Sequence, residues 1–237
     1  MYRFIFDVDG TLTPSRQRID SSFSTFFLDF CQSYPVYLIT GSDRPKTIEQ
    51  LGLDIVNASK RVYNCSGNDV WEQDNNIYTS PWKISLEAKE WLARELDLSN
   101  FAIRAGKHLE ERPGCVNFSV VGRLASLSQR QIYVDYDEEN KERERIALQF
   151  NHKFPTLSAR VGGDTGIDIF PKGHDKSQII KDFSVKDRLF FFGDKMEPGG
   201  NDYPLKVAIE TESRGECFTV KGWENTYKIL SVMKASI

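Results

Sequence analysis

The 237-residue sequence predicts an α/β fold in which a doubly wound parallel sheet is interrupted by an α+β insertion. Short apolar runs at 2–8, 36–39 and 188–192 each end abruptly in a polar turn, as buried strands of a parallel sheet do. Helical patterns lie between these runs, which gives the strand–turn–helix order of a doubly wound sheet. The middle of the chain alternates apolar and polar residues instead, which is typical of antiparallel strands with one exposed face.

The first part of the predicted sheet is a strand–helix–strand unit. The strand at 2–8 precedes a helix from about Ser21 to Gln32, in which four phenylalanines recur at helical spacing. The strand at 36–39 follows, and Pro45 opens a second helix after the polar segment 40–43.

The insertion begins with an amphipathic helix, whose apolar positions are Ile84, Leu86, Ala88, Trp91 and Leu92. Half-exposed strands are predicted at 116–121 and 131–136, followed by a charged helix at 137–150 and a strand at 156–161. This combination of elements predicts a compact α+β unit.

The change of pattern sets the domain boundaries. Residues 1–81 and 171–237 are expected to form one discontinuous catalytic core, and residues 82–170 a cap inserted into it. The chain is long enough for each part to have its own hydrophobic core.

Composition excludes several classes of protein. Lys and Arg number 31 against 34 Asp and Glu, a formal net charge of −3, which gives no general attraction for nucleic acid or for anionic membranes. The four cysteines are far apart and form no C-x-x-C pair, which excludes a small secreted disulfide framework and the usual zinc spacing. No apolar run approaches the ~18 residues of a membrane span, and the N-terminus has no signal-peptide pattern. We therefore expect a soluble cytoplasmic protein.

Polar side chains follow the predicted strands at their carboxyl ends. These residues are Asp7, Asp9, Thr40, Ser42 and Asp194, with Asp202 eight residues later. Parallel strands bring such positions to one edge of the sheet, where open α/β sheets bind ligands. Clustered carboxylates repel one another unless a cation lies among them, and Mg²⁺ prefers such oxygen ligands while leaving positions for phosphate oxygens. The pattern therefore predicts a magnesium and phosphate site.

Two alternatives apply to the first acidic motif. An Asp-Gly pair at a strand end can be a simple turn. This interpretation is weaker here, because a second buried strand also ends in an acidic residue. A calcium loop beginning at Asp7 requires Gly at position 6 and Glu at position 12, but these positions hold Leu12 and Arg18. The calcium loop is excluded.

Asp7-Val8-Asp9-Gly10-Thr11 resembles the first motif of the haloacid dehalogenase (HAD) superfamily of phosphotransferases. The longer run FDVDGTLTPSRQ, together with FFGDKMEPGGND at 191–202, resembles the eukaryotic-type phosphomannomutases, and the similarity extends to about residue 230. The resemblance implies a HAD-like core with a type C2 cap. It also implies interconversion of mannose 6-phosphate and mannose 1-phosphate, with Mg²⁺ as cofactor and a hexose 1,6-bisphosphate as activator.

The resemblance also implies roles for the acidic residues. Asp7 would be the nucleophile that forms an aspartyl-phosphate, and Asp9 the general acid and base. The metal would be held by Asp7, the backbone carbonyl of Asp9 and Asp194, with Asp202 as nearby support. The ion would offset the repulsion between the nucleophile and the phosphate.

Three further core residues match catalytic positions of the family or lie beside them. Thr40 occupies the place of the second-motif hydroxyl, where phosphomannomutases usually read Gly-Gly-Ser-Asp, and Ser42 is expected to share its contact with the phosphoryl oxygens. Both could instead cap the following helix. Lys176 matches the lysine that neutralises the aspartyl-phosphate, although a solvated helix residue is the alternative. His174 replaces an aromatic residue, and no role is assigned to it.

A second group of residues matches the substrate-binding set of the family: Arg16, Arg112, Asn117, Arg123, Arg130 and Asp168. Arginine binds phosphate oxygens bidentately and keeps its charge, although any single surface arginine is most often solvated. Gly166 replaces a family serine and has no hydroxyl group for the sugar contact that the serine makes. The family's acidic loop after Asp202 is replaced by Tyr-Pro-Leu-Lys, so the resemblance carries over no second cation site.

The leading hypothesis is thus a phosphomannomutase that binds small hexose phosphates. A HAD-family sugar-phosphate phosphatase with the same nucleophile is one alternative, and a non-catalytic phosphosugar-binding protein is another. The resemblance further implies a homodimer formed through the cap.

Overall fold

The computed structural model describes residues 1–234. The chain divides into two compact units, here called the core unit (Met1–Ser80 and the chain from Gly173) and the insertion unit (Pro81–Lys172). The insertion unit begins one residue before, and ends two residues after, the segment 82–170 predicted from the sequence.

The strands are β1 (Tyr2–Phe6), β2 (Val36–Ile39), β3 (Arg61–Asn64), β4 (Asp69–Glu72), β5 (Asn75–Thr79), β6 (Leu109–Arg112), β7 (Cys115–Phe118), β8 (Leu157–Gly162), β9 (Gly166–Pro171), β10 (Arg188–Gly193) and β11 (Gly215–Thr219). The helices are α1 (Ser21–Ser33), α2 (Arg44–Leu51), α3 (Leu53–Ala58), α4 (Leu86–Leu98), α5 (Leu127–Asn140), α6 (Glu142–Lys153), α7 (Tyr203–Thr211) and α8 (Trp223–Lys234). Two 3-10 segments, Cys65–Gly67 and Lys176–Asp182, complete the described elements.

The core unit contains a sheet in the order β11-β10-β1-β2-β3-β4-β5. The first five strands in this order are mutually parallel, whereas β4 and β5 form an antiparallel edge. Alternate residues of β1 pack on opposite faces: Phe4 and Phe6 against α1, and Ile5 beside Phe191 on the face covered by α7. Because both faces are covered, the strand reads as a continuous apolar run.

The insertion unit contains an antiparallel sheet in the order β6-β7-β9-β8, packed against helices. The strand predicted at 131–136 is wrong, because this segment lies inside α5. Ser126 accepts a hydrogen bond from the Gln129 amide and the Gln129 side chain binds the Ser126 amide, a capping box that starts the helix. Tyr133 and Asp137, one helical turn apart, are its buried residues. The charged helix predicted at 137–150 is in fact the end of α5 and most of α6.

Within residues 1–234, none of the helices combines the length and apolar character needed to cross a membrane. The four cysteines, all within this range, are free thiols.

Candidate active site

Three carboxylates meet at the carboxyl end of the core sheet. Strands β1 and β10 are parallel neighbours with Phe6 opposite Phe192, so Asp7 and Asp194 leave the sheet side by side. Together with Asp202 they offer oxygen atoms that all lie within 4.8 Å of one another. A cluster of carboxylate oxygens suits a hard divalent cation, so these three residues could hold a metal ion.

Gly10 makes the close approach of Asp194 sterically possible. Its φ of +77° lies in the left-handed region, and a Cβ atom there would lie 2.3 Å from Asp194 Oδ2. The Asp-Gly pair is thus both a turn and a requirement of the acidic cluster.

Lys176 is completely buried between two of these carboxylates. Its Nζ donates to Asp202 Oδ1 at 2.7 Å and to Asp7 Oδ1. Burial opposes its charge, but the carboxylates of Asp202 and Asp7 outweigh that effect and raise the pKa of the ammonium group. The alternative of a solvated helix residue is therefore wrong.

The same burial acts on the carboxyl groups. Desolvation raises the pKa of Asp7 above its ordinary value, opposed by Lys176 and reinforced by Asp202. Burial and the charge of Asp202 likewise raise the pKa of Asp194. A cation bound among these residues would favour their ionised forms.

Asp9 points to a different set of partners from Asp7. Its Oδ1 accepts from the Arg16 amide at 2.6 Å and from Gln50 Nε2 at 2.9 Å, and its Oδ2 lies 3.5 Å from Ser42 Oγ. Two fixed donors hold one oxygen of Asp9, so its carboxylate is oriented apart from the acidic cluster. Such orientation suits a group that exchanges a proton at one position.

Thr40 and Ser42 do not cap a helix. The Ser42 amide donates to Thr40 Oγ1 at 3.0 Å, and Asp43 is the residue that caps α2, accepting from the Lys46 amide at 3.1 Å. The capping alternative for Thr40 and Ser42 is therefore wrong, and their hydroxyls lie on the loop that also contacts Asp9.

The insertion unit holds an arginine network built on one carboxylate. Glu110 Oε2 accepts from Arg112 at 2.5 Å and from Arg123 at 2.8 Å. Arg123 also lies 3.3 Å from Asn117 Oδ1, and Asn117 Nδ2 donates to Asp168 Oδ1 at 2.7 Å. Adjacent strands β6, β7 and β9 carry Glu110, Arg112, Asn117 and Asp168, and Arg123 lies in the turn between β7 and α5.

The two other predicted arginines are placed differently. Arg130, on α5, pairs with Asp164 at 3.7 Å. Arg16 belongs to the core unit, where its side chain is exposed and its amide binds Asp9.

Comparison with known proteins identifies the family. The sequence profile of the eukaryotic phosphomannomutase family matches residues 23–235. A probable phosphomannomutase of Caenorhabditis elegans is 32% identical, over 94% of this chain and 92% of that protein. A phosphomannomutase of Spinacia oleracea is 31% identical over the same shares, and one of Saccharomyces cerevisiae 29% over 96% and 92%. The chain belongs to the eukaryotic phosphomannomutase family.

Solved structures confirm the fold. A HAD subclass IIB sugar phosphatase superposes with a TM-score of 0.62 at 17% identity, covering 99% of each chain. A trehalose-6-phosphate phosphatase related protein gives 0.58 at 17% identity, covering 98% of this chain and 97% of its own. This phosphomannomutase-family chain therefore has the predicted HAD-like core with an inserted α+β cap.

One departure from the phosphomannomutase pattern has a local explanation. A Cβ atom at Gly166 would lie 2.5 Å from Asn117 Nδ2. The glycine thus leaves room for Asn117 to donate to Asp168, and a serine there would displace the amide.

Two polar residues, one beside the acidic residues of the core unit and one in the arginine network of the insertion unit, were not found from the sequence. Gln50 is buried on the inner face of α2, and Glu110 precedes Arg112 by two residues on β6. The available signal for Gln50 was its helical spacing: it lies three residues after Thr47 and next to Leu51, on the face of α2 that is buried. The signal for Glu110 was its i, i+2 spacing from Arg112, which places both on one face of a strand.

Proposed function

We propose that this protein is a phosphomannomutase, interconverting mannose 6-phosphate and mannose 1-phosphate. The observation that carries the proposal is the buried Lys176 held between Asp7 and Asp202 beside Asp194. Family membership supports the assignment of substrate, because relatives that align with most of the chain bear this name.

In the proposed reaction, one Asp7 oxygen attacks the phosphorus of the bound phosphoryl donor. The bond from phosphorus to the sugar oxygen breaks, and Asp9 gives a proton to the departing oxygen. With a hexose 1,6-bisphosphate as the donor, the sugar that leaves is a hexose monophosphate. Asp9 is then the base that takes the proton from the free 1- or 6-hydroxyl of a bound mannose phosphate. That hydroxyl attacks the aspartyl-phosphate and restores Asp7, so a hexose 1,6-bisphosphate serves as both intermediate and activator.

Mg²⁺ is the proposed cofactor, held by Asp7, Asp194 and the backbone carbonyl of Asp9, with Asp202 as support. When bound, it supplies positive charge against the repulsion between the nucleophile and the phosphate. Lys176 supplies a second positive charge at Asp7, and Thr40 and Ser42 are proposed to donate to the phosphoryl oxygens. The buried environment strengthens each of these charge interactions.

The insertion unit is proposed to bind the phosphate that does not react. Arg112, Arg123 and Arg130 have the guanidinium geometry for phosphate oxygens, with Arg16 as a further contact from the core unit. Asp168 and Asn117 would bind sugar hydroxyls. Binding energy from this end orients the sugar for transfer.

Two further properties are part of the proposal. The four separated cysteines fit a reducing compartment, and we assign the activity to the cytoplasm. The insertion unit exposes Leu124, Leu127 and Ile132, apolar surface that would suit a homodimer formed through this unit. Sedimentation velocity across protein concentrations would test the dimer.

The deciding assay gives purified protein mannose 1-phosphate, Mg²⁺ and a small amount of hexose 1,6-bisphosphate. Mannose 6-phosphate and inorganic phosphate are then measured in the same samples. We expect the isomer to form in large excess over phosphate, and to require both Mg²⁺ and Asp7. Phosphate released without isomer would instead support the phosphatase. Ligand binding that survives Asp7→Asn, without turnover in the wild type, would support the non-catalytic binder.

A further inference from the structure

Asn68 and His174 are joined by two hydrogen bonds across 106 positions of the sequence. The Asn68 side-chain amide donates to the His174 backbone carbonyl at 3.1 Å and also to the Cys65 carbonyl at 2.8 Å. Its Oδ1 lies 3.0 Å from Nδ1 of the His174 ring. Asn68 is 1% exposed and His174 is half-buried, so the two bonds between them are partly shielded from water.

The two carbonyl acceptors fix the orientation of the Asn68 amide. The NH₂ group must face the Cys65 and His174 carbonyls, because the opposite orientation would place Oδ1 against two carbonyl oxygens. Oδ1 therefore faces the imidazole and can only accept. His174 must carry its proton on Nδ1.

The contact lies two residues before Lys176. Asp175, between them, accepts from the Ser177 amide at 3.0 Å and so caps the start of the 3-10 segment Lys176–Asp182. Fixing the backbone of His174 therefore fixes where this segment begins. The position of this first residue determines whether Lys176 Nζ can contact Asp7.

The other end of the contact is tied to the opposite side of the site. The Cys65 amide donates to the Ser42 carbonyl at 2.9 Å, and the Ser66 amide to the Thr40 carbonyl at 2.8 Å. The turn at 65–68 thus connects the loop that holds Thr40 and Ser42 to the backbone that carries Lys176.

We propose that Asn68 and His174 are positioning residues that hold Lys176 against Asp7 for phosphoryl transfer. The proposal rests on the proposed function for its kinetic consequences. For this role, the side chain at position 174 needs only an N–H donor at the position of Nδ1. Neither residue is proposed to touch the substrate.

Two substitutions of His174 separate this requirement from simple packing. His174→Asn keeps an N–H group at the distance of Nδ1 from the backbone, whereas His174→Gln moves its N–H group to the reach of Nε2. We expect His174→Gln and Asn68→Asp each to lower kcat about tenfold, because a misplacement of ~1 Å at a catalytic group can cost ~10²-fold and a smaller displacement costs less. His174→Asn should stay within about twofold of the wild type.

Further measurements exclude a general effect on the fold. KM for mannose 1-phosphate and the affinity for Mn²⁺, a probe of the acidic cluster, should change little in all three variants. His152→Ala, at an exposed histidine on α6, is the matched control and should behave as the wild type. Equal loss of kcat in His174→Asn and His174→Gln would overturn the proposal. A loss confined to KM or Mn²⁺ affinity would also overturn it.

A spectroscopic test does not depend on activity. Nitrogen-15 chemical shifts of the three histidines distinguish the two neutral tautomers, and His174→Asn identifies the His174 signals. His108 is an internal reference, because its Nδ1 lies 2.8 Å from the Ser119 carbonyl and must donate. We expect His174 to match His108; an Nε2–H tautomer would overturn the proposal. If the wild type shows this tautomer but no mutase turnover, the proposed function fails and the positioning contact stands.

Discussion

The core and insertion units hold charged groups in opposite ways. In the core unit, Lys176 is 0% exposed and its charge is balanced by Asp7 and Asp202. In the insertion unit, the side chains of Arg112 and Arg123 are each 21% exposed and share Glu110, which is itself 39% exposed. A buried ion pair is surrounded by a low dielectric, whereas a partly exposed one is screened by water.

This difference predicts how each unit responds to substitution. Removing one member of a buried charge group leaves its partners uncompensated, which is costly. Exposed pairs contribute ~0–1 kcal/mol and can exchange partners. The core arrangement suits a reaction centre with fixed geometry, and the insertion arrangement suits arginines that change partner when an anion binds.

The largest effect is expected at Asp7. Asp7→Asn keeps the shape of the side chain but removes the proposed nucleophile, so isomerisation should fall by about 10³-fold or more. Initial rates measure this loss, and phosphate labelling of the protein should disappear with it. Asp29→Asn, at an exposed position on α1, is the control. Labelling that persists in Asp7→Asn would assign the nucleophile elsewhere.

The next largest effect is expected at Lys176, where a substitution should lower the stability of the folded protein. Lys176→Met leaves Asp7 and Asp202 facing each other without a cation, which should lower the free energy of unfolding by about 3–5 kcal/mol in metal-free protein. Mg²⁺ should restore part of this loss, since it binds the folded state. Urea unfolding with EDTA or Mg²⁺ measures both, with Lys181→Met as an exposed control. An unchanged unfolding midpoint would contradict the buried charge balance.

In the insertion unit, Arg123→Ala should separate two activities. Loss of the guanidinium proposed to bind the second phosphate should lower kcat/KM for mannose 1-phosphate by about 10²-fold. Hydrolysis of p-nitrophenyl phosphate, which has no second phosphate, should change less than about twofold. If both activities fall together, Arg123 supports the fold instead of binding the substrate.

The sequence predicted the elements whose signals are local. Strands β1, β2 and β10 were identified because buried parallel strands are continuous apolar runs. The acidic residues after β1 and β10 were identified because ligands bind at the carboxyl ends of such strands. The segment 131–136 was misassigned because its short alternation matches a strand. The capping box at Ser126 and Gln129 was the stronger, unused signal for a helix.

Contacts between residues far apart in the sequence could not be predicted. Gln50 binds Asp9 across 41 positions and Asn68 binds His174 across 106, distances over which a sequence carries no pairing signal. Both are polar residues that resemble ordinary surface residues until the fold buries them. The complete burial of Lys176 and its contact with Asp202 were likewise hidden, because both depend on the packing of the 3-10 segment that Lys176 begins.

The smallest expected effect is at Glu110. Whether its substitution tightens or weakens phosphate binding distinguishes two roles for this residue. If Glu110 competes with phosphate for Arg112 and Arg123, Glu110→Gln should tighten the binding of inorganic phosphate by about 0.5–1 kcal/mol, a two- to fivefold change. Calorimetry at low and high salt measures this gain, which should shrink as salt screens the pairs. Glu111→Gln, which breaks an exposed pair with Lys89, is the matched control. Weaker binding in Glu110→Gln would mean instead that Glu110 orients the two guanidinium groups, making the insertion unit as preorganised as the core.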